Sequence, residues 1–179
     1  MTPLGIAAVG ALGGAAGAGL LTIVLVLADL GSRGDTTPVD RRGAVPLTSG
    51  TVLSETPGRP PDILQVAATF CQKVATGLFG VSLSPAVQRR LGAAWHVAYG
   101  ASWGAGYAIV AASVPVMPLV LAVAFGLAVW AIGPGWLVPR MRLMLPPLIA
   151  RRPILALVLA GHLAYAGVVA IVVAWLVGP

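Results

Sequence analysis

Charge is what this sequence has least of. Its 179 residues include 11 Lys and Arg and five Asp and Glu, 9% of the chain, where soluble domains carry about 25%. Even these few fall in two blocks, Asp29 to Arg90 and Arg140 to Arg152. Residues 1–28, 91–139 and 153–179 have none. A charge at the bilayer centre costs about 3 kcal/mol on insertion scales, and about 20 helical residues cross the hydrocarbon core. The uncharged stretches therefore read as membrane spans. Other absences narrow the function. No carboxylate pair, nucleophile–base constellation, phosphate-cradling glycine loop or zinc-type Cys/His spacing occurs, so the expectation is a non-enzyme with no metal site. Cys71 is the single cysteine; without a partner it reads as a small hydrophobe in a reducing compartment. The net charge of +6 does not point to nucleic acid. The basic residues flank apolar runs, as topology determinants and contacts to anionic lipid do.

What is present is helical. The first span covers about residues 4–30. It lacks the basic start of a signal peptide, and its apolar run is longer than the usual 7–15 residues, so it reads as a retained helix. Gly10/Gly14 and Gly13/Gly17 have the small-xxx-small spacing that lets helix backbones approach, and Gly100 and Gly104 on the second span are further helix-packing candidates. Residues 31–61 hold five prolines and five glycines with no periodicity, a polar loop outside the membrane. Asp62 then reads as an N-cap. Ile63, Val66, Ala67, Phe70, Val74 and Leu78 recur at helical spacing opposite Gln65, Gln72 and Lys73, an amphipathic surface helix over 62–80. Ser84-Pro85 predicts the cap and first position of a second span over 86–114. A third span over 117–138 has regular helix to Ile132 and a break at Gly133-Pro134-Gly135. The fourth covers 153–177, with Gly178-Pro179 as its stop.

The predicted fold is thus all-α: a polytopic bundle of four transmembrane helices plus one amphipathic cytoplasmic surface helix. With four spans, every Lys and Arg falls on one side. The positive-inside rule places loops 31–85 and 139–152 in the cytoplasm and both termini outside.

The intramembrane polar inventory is short. His96 and His162 open similar words, His96-Val-Ala-Tyr99-Gly100 and His162-Leu-Ala-Tyr165-Ala166, with His and Tyr on one helix face. Measured from Arg90 and Arg152, they lie about 9 Å and about 15 Å deep. Three readings stay open. The histidines tie the bundle together through hydrogen bonds. They bind a haem or chlorophyll-type pigment, with Gly100 and Gly104 making room for a flat ring. Or they serve a proton or small-solute path. Trp95, Trp103, Trp130, Trp136 and Trp175 read as interface anchors and packing.

The words "WHVAYGASWGAGY" (Trp95 to Tyr107), "FGLAVWAIGPGWLVP" (Phe125 to Pro139) and "GHLAYAG" (Gly161 to Gly167) together resemble the YagU-like group of uncharacterised bacterial inner-membrane proteins. The resemblance implies His96, Tyr99, Gly100, Trp130, Trp136, Pro139 and His162 as signature positions, in a protein of the inner membrane. It implies no established activity. The expected function is a non-enzymatic accessory or structural subunit of a larger membrane complex. Its partners would be the lipid bilayer and other membrane subunits, with the glycine face serving assembly. A pigment- or haem-binding subunit of an electron-transfer or photosynthetic complex, and a small-solute or proton transporter, are the alternatives.

Overall fold

The structure, a computed structural model, describes residues 1–33, 63–143 and 152–177. Among these residues every regular element is helical: α1 (Pro3–Arg33), α2 (Ile63–Phe79), α3 (Pro85–Ser113), α4 (Pro118–Ile132), a π-helical turn (Gly133–Leu137), α5 (Val138–Arg140) and α6 (Arg152–Val177). Three stretches are long and apolar enough to cross a membrane: Pro3–Val24, Pro118–Arg140 and Leu155–Val177. The expected span over 86–114 is helical throughout as α3. It is not among those three, because Gln88, Arg89, Arg90, His96, Ser102 and its glycines dilute its hydropathy. The Asp62 cap, the loop 34–61, residues 144–151 and the Gly178-Pro179 stop lie outside the described residues, while 31–33 extend α1 rather than begin a loop.

Local chemistry explains the boundaries. The Ser84 hydroxyl accepts from the Val87 N–H at 3.4 Å, and Pro85 occupies the first turn, where a missing N–H costs nothing. α2 ends where Gly80 takes φ +64°, its N–H donating to Thr76 O at 3.1 Å. The break expected at Gly133 is not a break. Pro134 has no N–H to continue the α ladder, and the helix widens into a π turn, with the Val138 N–H donating to Gly133 O. α5 then ends in paired bonds, Leu143 N–H to Val138 O at 3.1 Å and Arg142 N–H to Pro139 O at 2.9 Å. This closure puts Arg142 at φ +54°, where glycine is usual, and tucks Leu143 inward to 2% exposure.

Small residues set the packing. α1 lies between α3 and α6, antiparallel to both. Gly10 faces Gly104 and Ala108, and Gly14 faces Gly100, so descending α1 means ascending α3. On its other face Gly13 meets Val169 and Val172, Gly17 meets Tyr165, and Leu21 meets Gly161. A Cβ at Gly17 would lie 2.7 Å from Tyr165 Cδ2 and one at Gly161 2.5 Å from Leu21 Cδ1; both are closer than real side chains come. α4 packs on α6 through Gly126, which faces Ala166 and His162 O. Phe125 joins α3 to α6 across the core, touching Trp103, Tyr107 and Tyr165 at centroid distances of 6.1, 5.0 and 6.2 Å.

The helix expected over 62–80 is α2, and it packs against the bundle. It folds back along α3 as an antiparallel hairpin: Gly92 abuts the Ala68 backbone, and the Gln72 Oε1 accepts from Gln88 Nε2 at 3.1 Å and from the Leu83 N–H at 2.9 Å. Phe70 stacks on Trp95 at 4.7 Å. The Lys73 ammonium donates to Met141 O at 2.8 Å and Arg142 O at 3.4 Å, tying α2 to the end of α5 where helix carbonyls are otherwise unpaired.

Candidate functional site: a chamber at the basic end

One face of α3 repeats an aromatic every fourth residue: Trp95, Tyr99, Trp103, Tyr107. At 3.6 residues per turn each step advances about 40°, so the stripe winds around the helix. Its first member meets Phe70 of α2 and its last meets Phe125 of α4. Beside it runs a second row, Gly92, His96, Gly100 and Gly104. The glycines of that row let α2 and α1 approach. His96 is the one large side chain in the row, and there the helices part around a cavity of about 120 Å³.

Every described helix contributes to its wall. α1 supplies Ala18 and Leu21; α2 supplies Ile63, Val66, Ala67 and Phe70. α3 contributes Trp95, His96, Tyr99 and Trp103, and α6 brings His162 and Tyr165. The floor is the π turn with the start of α5: Gly133, Pro134, Leu137 and Val138, closed by Met141 and Leu143. A Cβ at Gly133 would lie 3.2 Å from the Tyr99 hydroxyl, a tight contact.

The polar groups of this wall divide into used and unused. The Tyr165 hydroxyl donates to Gly100 O at 2.6 Å, buried. His162, 8% exposed, bonds Val158 O at 2.7 Å through Nδ1. Facing a carbonyl, Nδ1 must carry the proton, which leaves Nε2 of the neutral ring as a bare acceptor. The Nε2 of His96 and the Tyr99 hydroxyl are buried without a partner, as is Trp130 Nε1 nearby on α4. A buried polar group left unpaired costs about 1–3 kcal/mol, and two of the residues that line the cavity, His96 and Tyr99, each carry one.

Both sequence-predicted histidines thus line one chamber. They are also nearer in height than counting from the arginines suggests. Gly100 is level with Ala18, and Gly161 with Leu21; at 1.5 Å per residue, His96 and His162 then differ by about 3 Å rather than about 6 Å. The α3 and α6 helices are not level at their basic ends. Gly100 and Gly104, expected to make room for a flat ring, do not: a Cβ at Gly100 would lie 2.6 Å from Ala18 Cβ, and α1 fills that space. The glycines Gly10, Gly13, Gly14 and Gly17 are likewise occupied within the chain. Among the described residues no group of three or more His, Cys, Asp or Glu could hold a metal ion. The cavity is close in size to the ~150 Å³ engineered cavity that holds benzene. The aromatic stripe is absent from the sequence-based expectations, which name Tyr99 for its place on the His96 face and among the signature positions. Four-residue spacing of Trp and Tyr is the signal of the stripe.

No family model matches the chain, and no curated protein or solved structure matches it. The likeness to YagU-like proteins rests on the sequence words alone.

Proposed function

We propose that this is a four-span membrane protein that binds a small, uncharged, largely apolar ligand in the chamber at its basic end and does no chemistry on it. The observation that carries this reading is the pair of buried, unpartnered polar atoms, His96 Nε2 and the Tyr99 hydroxyl, on one apolar wall. Titrating the protein in nanodiscs with small neutral aromatics such as toluene and 4-cresol should give saturable binding, lost when Val66→Trp fills the chamber. Binding that survives Val66→Trp, or no binding by the unaltered protein, rules the reading out.

Four spans are supported by direction. α1 and α4 each run antiparallel to α6, hence parallel to one another, so the chain has to recross between them. α3, antiparallel to both, is the helix placed to do it. Both termini then lie outside and the basic loops in the cytoplasm. With Cys71 replaced by Ser, a cysteine at position 45 should react with an impermeant maleimide only after cells are opened. Labelling of intact cells would reverse the orientation.

The glycine faces of α1 are consumed by α3 and α6, so they offer no support for an accessory subunit in a larger assembly. Transport of a small solute is the second reading, favoured by the π turn. A π turn inside a helix is frequent at functional sites, and Gly133 and Pro134 of this one lie at the chamber floor.

A further inference from the structure

We infer that the ligand of this chamber is an uncharged six-membered aromatic ring bearing a hydroxyl group, a phenol or quinol head. The inference rests on the proposed binding role and names its chemistry. No charged side chain lines the cavity among the described residues, and an ion there would be unpaired in a low-dielectric site. The volume of about 120 Å³ admits one ring and little more. The walls are flat and aromatic on one side, with Trp95 stacked on Phe70 at 4.7 Å and Tyr99 set edge-on to Trp103 at 6.1 Å, surfaces that favour a planar guest over a puckered one.

The hydroxyl is fixed by the hydrogen-bond inventory. The Tyr165 hydroxyl and His162 Nδ1 are already committed to Gly100 O and Val158 O. What remains is one bare acceptor, His162 Nε2, and two unpartnered groups, His96 Nε2 and the Tyr99 hydroxyl. A carbonyl only accepts and would leave His162 Nε2 unmet. A hydroxyl donates to an imidazole nitrogen and accepts from Tyr99 at once, satisfying groups of both kinds. The chamber is only partly enclosed, so the ring belongs either to a free phenol or to a quinol whose tail stays in lipid, and the chemistry at the polar wall is the same.

Calorimetric titration of the full chain in nanodiscs, with empty nanodiscs subtracted, separates these points. We expect 4-cresol to bind at least 10-fold more tightly than toluene, which lacks the hydroxyl, and than 4-methylcyclohexanol, which lacks the aromatic ring. Tyr99→Phe removes one of the two hydrogen bonds and should narrow the gap between 4-cresol and toluene while leaving toluene unchanged, a result that loss of folding would not produce. A decyl-tailed benzoquinol binding 10-fold more tightly than 4-cresol identifies a membrane-borne source; equal binding identifies a free phenol. If toluene or 4-methylcyclohexanol matches 4-cresol, the hydroxylated-ring assignment is overturned and the chamber remains a binding site of another specificity. If no compound binds saturably, the binding role itself falls with it.

Discussion

Gly14→Leu is expected to unfold the bundle at its centre, costing more than about 3 kcal/mol. Overpacking a core side chain usually costs about 1–3 kcal/mol because neighbouring rotamers give way. Here the obstacle is backbone. A Cβ at Gly14 runs into the Gly100 carbonyl and lies 3.0 Å from Ala101 Cα, and neither moves without separating α1 from α3. The same separation would pull Ala18 off Gly100 and open the chamber roof. Gly106→Leu on α3 is the matched comparison, since nothing lies within 4 Å of its Cβ position. There the helix gains about 1 kcal/mol of propensity over glycine and loses no contact. Reversible unfolding in mixed micelles should show the midpoint falling steeply for Gly14→Leu and unchanged or raised for Gly106→Leu. Equal effects of the two would show that α1 and α3 do not meet through these glycines.

Phe125→Ala should cost about 2–3 kcal/mol, while Leu127→Ala, two residues on, should cost less than about 0.5 kcal/mol. In soluble cores the loss of a buried phenylalanine runs to about 3–5 kcal/mol, part of it transfer from water. Within a bilayer the unfolded helix still sits in lipid, so the transfer part is small and the packing part remains. Phe125 has that packing: it bridges Trp103 and Tyr107 of α3 to Tyr165 of α6, helices that otherwise touch little. Leu127 is 43% exposed and faces outward. The same unfolding measurement reads both variants, and a cost at Leu127 as large as at Phe125 would place the core on the wrong face of α4.

How legible each element is in the sequence depends on its physics. Ser84-Pro85 and Gly80 mark helix ends by bonds and dihedrals confined to a few residues, and such signals survive in sequence. Gly133-Pro134-Gly135 reads as a stop because proline ends most helices, whereas here a single wider turn absorbs its missing N–H. α2 has an amphipathic pattern whose apolar residues would suit lipid equally well. The structure gives Val66, Ala67 and Phe70 to the chamber and the hairpin with α3 instead. A helical period states that one face is apolar and leaves open what covers it. The glycines of α1 announce a packing face, but nothing in their spacing tells an intramolecular neighbour from another chain.

The sequence by itself determined where charge is absent, and with it the helices able to enter a membrane and the end of the bundle that carries the basic residues. Those are one-dimensional properties, set by composition along a run of about 20 residues. Only the tertiary structure decided that α1 inserts between α3 and α6, and that His96, Tyr99 and His162 share one chamber. It alone decided which of their polar atoms already have partners. Those outcomes depend on the heights and rotations at which helices pack, on Gly14 against Gly100 and Gly161 against Leu21. Contacts between residues so far apart along the chain leave no periodic trace in it.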